Sequence, residues 1–367
     1  MTEDAIVIGG GVIGLSCAWK ASLQGVQVTV VDPNPGRGAS WVAAGMLAPV
    51  TEATFGEEQL TRLLVAAAEH WPAFAAELGG DVGYRRCGTV VVAVDASDRA
   101  VVDQLLGFQH ALGLSAERLS PSECRRLVPA LAPGVRGGAH VPGDHQVDNR
   151  RLLGALLDAC REAGVTFVDR LAVSVELGLD KEATGVALDD GRRLDAGAVV
   201  VAAGAHSACL EGLPDGTLPY VRPVKGHVVR LRGDEPVIDR TVRGLVHGRP
   251  CYLVPRQDGS LVVGATAEER GFDATVQAGA VHALLDDARS LVPGVDELAL
   301  EECQSGLRPG SVDNGPYVGW TSVPRLAVAS GHYRNGMLLA PMTALAVAAL
   351  LTEGDLPATL AAFSPQR

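Results

Sequence analysis

The first apolar positions of the chain form an unbroken run, Ala5-Ile-Val-Ile8, followed at once by Gly9-Gly-Gly-Val-Ile-Gly14. Such a run bounded by glycines predicts a short strand buried on both faces. Leu15–Gln24 places the small residues Ser16, Ala18 and Ala21 on the packing face of a helix, and Gly25 supplies a stop. Val26–Val31 is apolar again and predicts the next strand. Strand, glycine turn, helix and strand together make a parallel βαβ unit, which needs a right-handed crossover and helices covering the sheet.

Beyond this unit the pattern predicts a helical stretch over Glu57–Leu78 and helices over Asp98–Ala111 and Ser120–Leu127. A further helix starts at Val147 and runs to about Ala163, where Gly164 stops it. Cys87–Val94 and Val165–Val168 read as strands; Ala172–Leu179, Val186–Leu188 and Arg192–Asp195 read as a small meander. Ala198–Gly204 is a second apolar strand ending in glycine. Pro219–Arg232, Cys251–Pro255 and Ser260–Thr266 are strand-like, and Val276–Leu291 is helical. The chain closes with a strand at Leu326–Ala329, a turn and a long apolar helix. Nucleotide-type elements therefore recur near residue 5, near 165–204 and near 326–350, with strand-rich stretches between them. The expected class is α/β (α+β overall): a Rossmann-like domain made of 1–84, 146–218 and 306–367, interleaved with a mixed or antiparallel-sheet domain made of 85–145 and 219–305.

Composition narrows the class. The chain has 367 residues, 47% hydrophobic and 20% charged, which is a globular balance and excludes disorder as the main state. Its 44 glycines show no three-residue period, so they imply tight turns and not collagen. A formal charge of −12 argues against nucleic acid as a partner. Seven scattered cysteines form no C-x-x-C pair, which fits reduced thiols, and no histidine spacing suggests a metal site. No basic stretch followed by a long apolar segment is visible near Met1. The apolar region Met337–Leu351 contains Pro341 and falls short of the roughly 18 residues a spanning helix needs, so no integral membrane segment is expected and the expected location is cytoplasmic.

The candidate chemistry begins with Gly9-x-Gly11-x-x-Gly14. In this setting Gly9 permits the tight turn, Gly11 lets backbone approach a pyrophosphate, and Gly14 lets the helix pack on the sheet. The helix N-terminus offers free N–H groups to the phosphates. An acid should follow about 20 residues later to bind the ribose, and Asp32 ends the second strand. A dinucleotide site follows. Small residues over Gly38–Met46 suit close approach to a large flat ligand, and the second glycine-ended strand would bring Gly204 near the same ligand. The break into strand-rich sequence afterwards favours FAD over a nicotinamide cofactor.

Several further segments occur in a family order: Ile8–Gly14, Ala39–Met46, Arg222-Pro-Val-Lys-Gly226, Tyr252-Leu-Val-Pro-Arg256, Val263–Thr266 with Gly271-Phe-Asp273, Gly306-Leu-Arg-Pro309 and Gly331-His-Tyr-Arg-Asn-Gly336. With them nearly the whole chain resembles the D-amino-acid oxidase and sarcosine oxidase group of flavoenzymes, its thiamine-pathway glycine oxidases in particular. The resemblance implies a noncovalent FAD touching Val12, Ile13, Asp32, Pro33, Ala39, Ser40, Ala44, Gly45, Met46 and the backbone of Val173. It places His332, Tyr333, Arg334, Asn335, Gly336, Met337 and Leu338 beside the isoalloxazine ring, and substrate contacts on Tyr252, Arg308 and Arg334. It also implies a homotetramer. Two departures stand out. Asp32 replaces the more usual glutamate, and the ring-binding stretch has no cysteine for a covalent flavin link.

The resemblance implies oxidative deamination of glycine and other small amines, such as sarcosine and D-alanine, by hydride transfer from the α carbon to flavin N5. Oxygen as acceptor would yield hydrogen peroxide, and the imine would feed thiamine thiazole synthesis. Arginine suits the substrate carboxylate because its planar fork makes two bonds and stays charged. Arg308 lies in what reads as a stiff Gly-Leu-Arg-Pro turn, and Tyr252 adds a phenolic hydrogen bond. No protein base is required, and His332 reads as a structural residue. The helix beginning near Asn335-Gly336 would aim its N–H groups at the reduced ring. The alternatives are a D-amino-acid dehydrogenase with another acceptor, a noncatalytic flavin-binding subunit and a nicotinamide dehydrogenase. The missing membrane helix counts against the first, and the joint presence of Tyr252, Arg308 and Arg334 against the second. Loops within 45–56 and 239–250 are expected to set substrate size.

Overall fold

A computed structural model describes residues 4–367. Two large sheets dominate. The first runs, edge to edge, through Tyr317–Trp320, Leu326–Ser330, Ala198–Val201, Ala5–Ile8, Val28–Val31 and Thr166–Val168. All its pairings are parallel except the outer one between Tyr317–Trp320 and Leu326–Ser330. The expected βαβ unit is present, with its helix at Val12–Leu23. That helix begins three residues earlier than expected, because the glycine turn is tighter than its spelling suggests.

The second sheet has eight strands in the order Ala299–Gly310, Arg222–Arg232, Ser260–Gly264, Arg249–Pro255, Thr241–Val246, Thr89–Ala93, Gly138–Val141 and Glu117–Leu119. Its pairings are antiparallel except between Thr241–Val246 and Thr89–Ala93. One strand overturns an expectation. Gly306-Leu-Arg-Pro309 is not a turn; it lies in the 12-residue strand Ala299–Gly310. Its polar, glycine-bearing sequence shows no alternation, yet it pairs along the full length of Arg222–Arg232. It forms the sheet edge, where Pro309 is tolerated. This strand also carries the second sheet through Gly310, past the expected boundary at 305.

Helix boundaries follow local chemistry. Asp95 caps Ala96–Ala111 by accepting from the Asp98 amide, Ser120 and Glu123 form a capping box on Pro121–Leu127, and Asp148 caps Asn149–Glu162. The helical stretch expected over Glu57–Leu78 is made of two helices, Glu58–Ala68 and Trp71–Glu77, with Pro72 near the start of the second.

The terminal helix spans Gly336–Glu353, 18 residues, and is therefore longer than expected. Pro341 lies in its second turn and not its first. It is apolar all round and mostly buried, packing against Val12–Leu23. That is the pattern of a core helix. Trp71, itself fully buried, donates its indole N–H to the Leu338 carbonyl at 3.0 Å. Trp71→Ala should therefore open a cavity beneath this helix and cost about 3–5 kcal/mol, read as a lowered urea midpoint. A midpoint within error of the parent would show that Trp71 does not support the helix.

Candidate active site

One continuous cavity of about 1310 Å3 runs from the glycine turn of the first sheet to one face of the second. That exceeds the ordinary range for a drug-sized ligand, roughly 300–1,000 Å3, and suits a dinucleotide with space for a small second molecule. At the turn, Asp32 accepts the amides of Gly10 and Asn34, each at 2.7 Å. Ser40 Oγ accepts the Val12 amide at 3.0 Å at the start of the helix.

The three glycines of the turn have different tasks. Gly9 has φ +106°, and a Cβ there would overlap the Ala202 carbonyl; a Cβ at Gly14 would overlap the Gly9 carbonyl. Both are therefore demanded by the fold. Gly11 has ordinary extended backbone, and its Cβ would meet only Ser40 Oγ, at 3.2 Å. Its bareness keeps a cradle open at the helix N-terminus, which fits a pyrophosphate.

The Ala39–Met46 segment forms the wall between the two sheets. Asn149 Nδ2 donates to the carbonyls of Ser40 and Trp41 at 2.9 and 2.8 Å. Arg256 donates to the Ala44 carbonyl at 2.6 Å, and Arg230 to those of Trp41 and Ala43 at 3.4 Å. Both guanidiniums are buried. Burial pushes Arg230 down to about 10, with Arg150 and Arg256 adding to the shift, so it remains protonated at neutral pH. Sequence reading missed all three positioning residues, although Arg256 closes the Tyr252–Arg256 motif. At Gly45, φ is +76° and a Cβ would overlap the Val147 carbonyl, so glycine is required where the segment meets the Asn149–Glu162 helix.

Of the expected cofactor residues, Gly9, Gly11–Ile13, Asp32–Pro33, Ala39–Ser40, Ala44–Met46, Gly204 and His332–Met337 line the cavity. Three do not. Gly14 packs under the turn, Leu338 is buried in the core, and the wall near Val173 is made by Leu171 and Ala172 while Val173 is exposed. The Gly336–Glu353 helix starts at the cavity with no side-chain cap and no acid in its first turn. Its first N–H groups are thus free for a ligand. His332 Nε2 lies 3.0 Å from the Thr343 hydroxyl, and burial pushes the ring down to about 3. The ring is therefore neutral near pH 7.

At the other end, one face of the second sheet carries the candidate substrate groups. Tyr252 lies across Gly264 and the Arg308 guanidinium across Gly226; a Cβ on either glycine would overlap these side chains. Arg308 Nη1 donates to the Thr266 carbonyl at 3.0 Å. The Tyr333 amide donates to the Pro309 carbonyl at 2.9 Å, which ties the Arg308 strand to the Gly331–Gly336 turn that carries Arg334. Arg334 stands more exposed than Arg308, at the rim. Burial raises the Tyr252 phenol above its ordinary value despite the nearby arginines, so it stays a donor.

Two more charged residues belong here and were not singled out from sequence. Arg243, the cross-strand partner of Tyr252, pairs with Glu52 at 2.6 Å. Burial opposes ionisation of Glu52, but Arg243, Arg334 and Arg308 outweigh it and hold the carboxyl below its ordinary value. Both residues fall inside the two loop ranges expected to set substrate size. Neither sits in a motif, so only those ranges pointed to them.

Gly11→Val should fill the cradle without disturbing the fold, so the purified protein should lose its flavin absorbance and fail to regain it with added FAD. A yellow Gly11→Val protein would remove the pyrophosphate from that turn. Gly226→Ala should displace the Arg308 guanidinium and raise the KM of a carboxylate substrate by about tenfold or more with FAD retained. An unchanged KM would separate Arg308 from the substrate.

Residues 4–350 match the family model described as FAD dependent oxidoreductase. The glycine oxidase of Geobacillus kaustophilus is 34% identical over 372 residues, 99% of this chain and 97% of that protein. Its crystal structure superposes with a TM-score of 0.90, at 33% identity, covering 100% of this chain and 98% of that one. The bifunctional protein ThiO/ThiG of Nostoc sp. is 34% identical over 357 residues, 96% of this chain. The chain spans 53% of that longer relative. These matches show that the chain belongs to the FAD-dependent oxidoreductases and that, within them, it is similar to the glycine oxidases.

Proposed function

We propose that the protein oxidises glycine and other small amines, such as sarcosine and D-alanine, releasing the imino acid, which water converts to the oxo acid and the free amine (glyoxylate and ammonia from glycine). The single observation that carries this reading is the placing of a guanidinium and a phenol, each across a bare glycine, in the cavity that also holds the dinucleotide cradle. A guanidinium fork and a phenolic O–H are complementary to a carboxylate. FAD, held at the Gly11 cradle and along His332–Met337, would supply the hydride acceptor, with oxygen as the final acceptor of the electrons.

The chain's own task is positioning. Arg308, fixed by Thr266 on one side and Gly226 beneath, holds the substrate carboxylate. Tyr252 completes that grip, and Arg334 adds positive potential at the rim. With the carboxylate fixed, the α carbon has one direction in which to turn its C–H, and alignment of that kind contributes several kcal/mol. The amine enters neutral, so no group need take a proton from carbon. The free N–H groups of the Gly336–Glu353 helix stabilise negative charge at their end of the cavity. The ThiO/ThiG relative supports a destination for the product: the imine would serve the thiazole step of thiamine synthesis.

Anaerobic mixing with glycine, sarcosine and D-alanine tests the reading. The oxidised-flavin band should bleach with at least one amine, and air should restore it with release of peroxide. A band that persists with all three would end the oxidase reading. Arg308→Ala should weaken glycine on the order of 100-fold while FAD stays bound, and Arg308→Lys, which keeps the charge but loses the fork, should fall between.

A further inference from the structure

The cavity does not stop at Tyr252. The register of the second sheet places Gly264, Tyr252, Arg243, Val91 and Ala139 side by side across adjacent strands. Strands lie about 4.8 Å apart, so each step along this row moves one strand away from the candidate carboxylate site. Beyond Arg243 the lining becomes largely apolar: Val91, Ala139, Val101, Val102, Leu105 and Leu245 belong to the same continuous cavity, with Gln109 as a polar member among them, and Val101 is itself exposed. A polar chamber and an apolar lobe thus share one space, and Arg243 stands at their junction.

Arg243 is held there from two sides. It pairs with Glu52 at 2.6 Å and donates to Thr51 Oγ1 at 2.8 Å. Thr51 is itself anchored, because buried Asp144 accepts the amides of Val50 and Thr51, each at 2.9 Å. Both partners are mostly shielded from water, with 18% and 14% of their side-chain surfaces exposed. A partly buried ion pair with an anchored foot is costly to open, since parting it leaves two poorly solvated charges.

We propose that the Arg243–Glu52 pair is the partial wall that sets substrate size, narrowing the way from the polar chamber to the apolar lobe so that amines with little or no α substituent are preferred. The proposal rests on the amine-oxidase reading and assigns its specificity to one contact. An α substituent that reaches this wall would have to displace an ion pair; with the wall removed, it would extend onto apolar surface.

The test is the double variant Arg243→Leu with Glu52→Gln, which leaves no lone charge behind, and Arg243→Met as a second form that keeps Glu52. Flavin reduction is followed with glycine, D-leucine and D-aspartate. The ratio of kcat/KM for D-leucine over glycine should rise at least tenfold over the parent. Spectral titration of the bound flavin with acetate and 4-methylpentanoate gives a readout without turnover, and the variant should shift towards the longer acid by a similar factor. An FAD-bound variant with both ratios unchanged would overturn the wall. A parent that prefers D-aspartate and loses it on substitution would overturn it too, making Arg243 a ligand. A parent reduced by no amine ends the oxidase reading and this proposal together, whereas glycine turnover with unmoved ratios ends only the proposal.

Discussion

Two buried guanidiniums and one amide decide where the two halves of the site meet. Arg230 and Arg256 reach from the second sheet, and Asn149 from the first turn of a helix, to the carbonyls of Ser40, Trp41, Ala43 and Ala44. Asn149 Oδ1 also lies 3.3 Å from a nitrogen of each arginine, so the three side chains form one network. Buried charges of this sort are tolerated only with partners. Here Asp148 stands 3.5 Å from Arg256 and Glu302 3.8 Å from Arg230. The network joins the cofactor wall to the substrate sheet. A shift of the Ala39–Met46 segment would therefore change the distance between the dinucleotide cradle and the Arg308–Tyr252 face, on which the proposed hydride transfer depends.

The substrate face is made by omission. On the second sheet, Gly226, Gly264 and Gly306 share the face that carries Arg308 and Tyr252. Without side chains at these places the guanidinium and the phenol lie flat on the backbone. Gly306 opens the same face to Val42, so the cofactor wall approaches closely. Glycine in strands weakens them by entropy and lost packing. The long ladder between Arg222–Arg232 and Ala299–Gly310 offsets that cost and is the reason a strand of such poor propensity forms at all.

This explains which parts of the molecule were legible beforehand. The βαβ unit was readable because Ala5–Ile8, the three glycines and Asp32 all state the same local geometry. The helices near Ser120 and Val147 were readable too, and local caps at Ser120 and Asp148 start them. The Ala299–Gly310 strand was not, because its conformation is imposed by a partner about 80 residues away. Thr241–Val246 was hidden similarly: its Arg243 faces a polar chamber, so the expected alternation breaks at the functional position. Arg308 and Tyr252 were found through family motifs, whereas Glu52, Arg230 and Asn149 lie outside any motif that names their role. Their placement is a product of register, which local pattern does not encode.

The electrostatics of the cavity run against those of the whole chain. The protein carries a net charge of −12, yet at the Tyr252 end of the cavity Arg308, Arg334 and Arg243 all act on the Glu52 carboxylate, with an uncapped helix N-terminus opening nearby. Net charge thus speaks to solubility and to the kind of macromolecule that is repelled, while a low-dielectric cleft concentrates its own field. For an amino-acid substrate of the proposed kind the consequence is orientation. The carboxylate of such a substrate would be drawn to Arg308 and Arg334, since Arg243, already engaged by Glu52, has less to offer it. The pairing of charges, more than their number, therefore gives the chamber a direction, and a substrate held by one end is a substrate whose α carbon is placed.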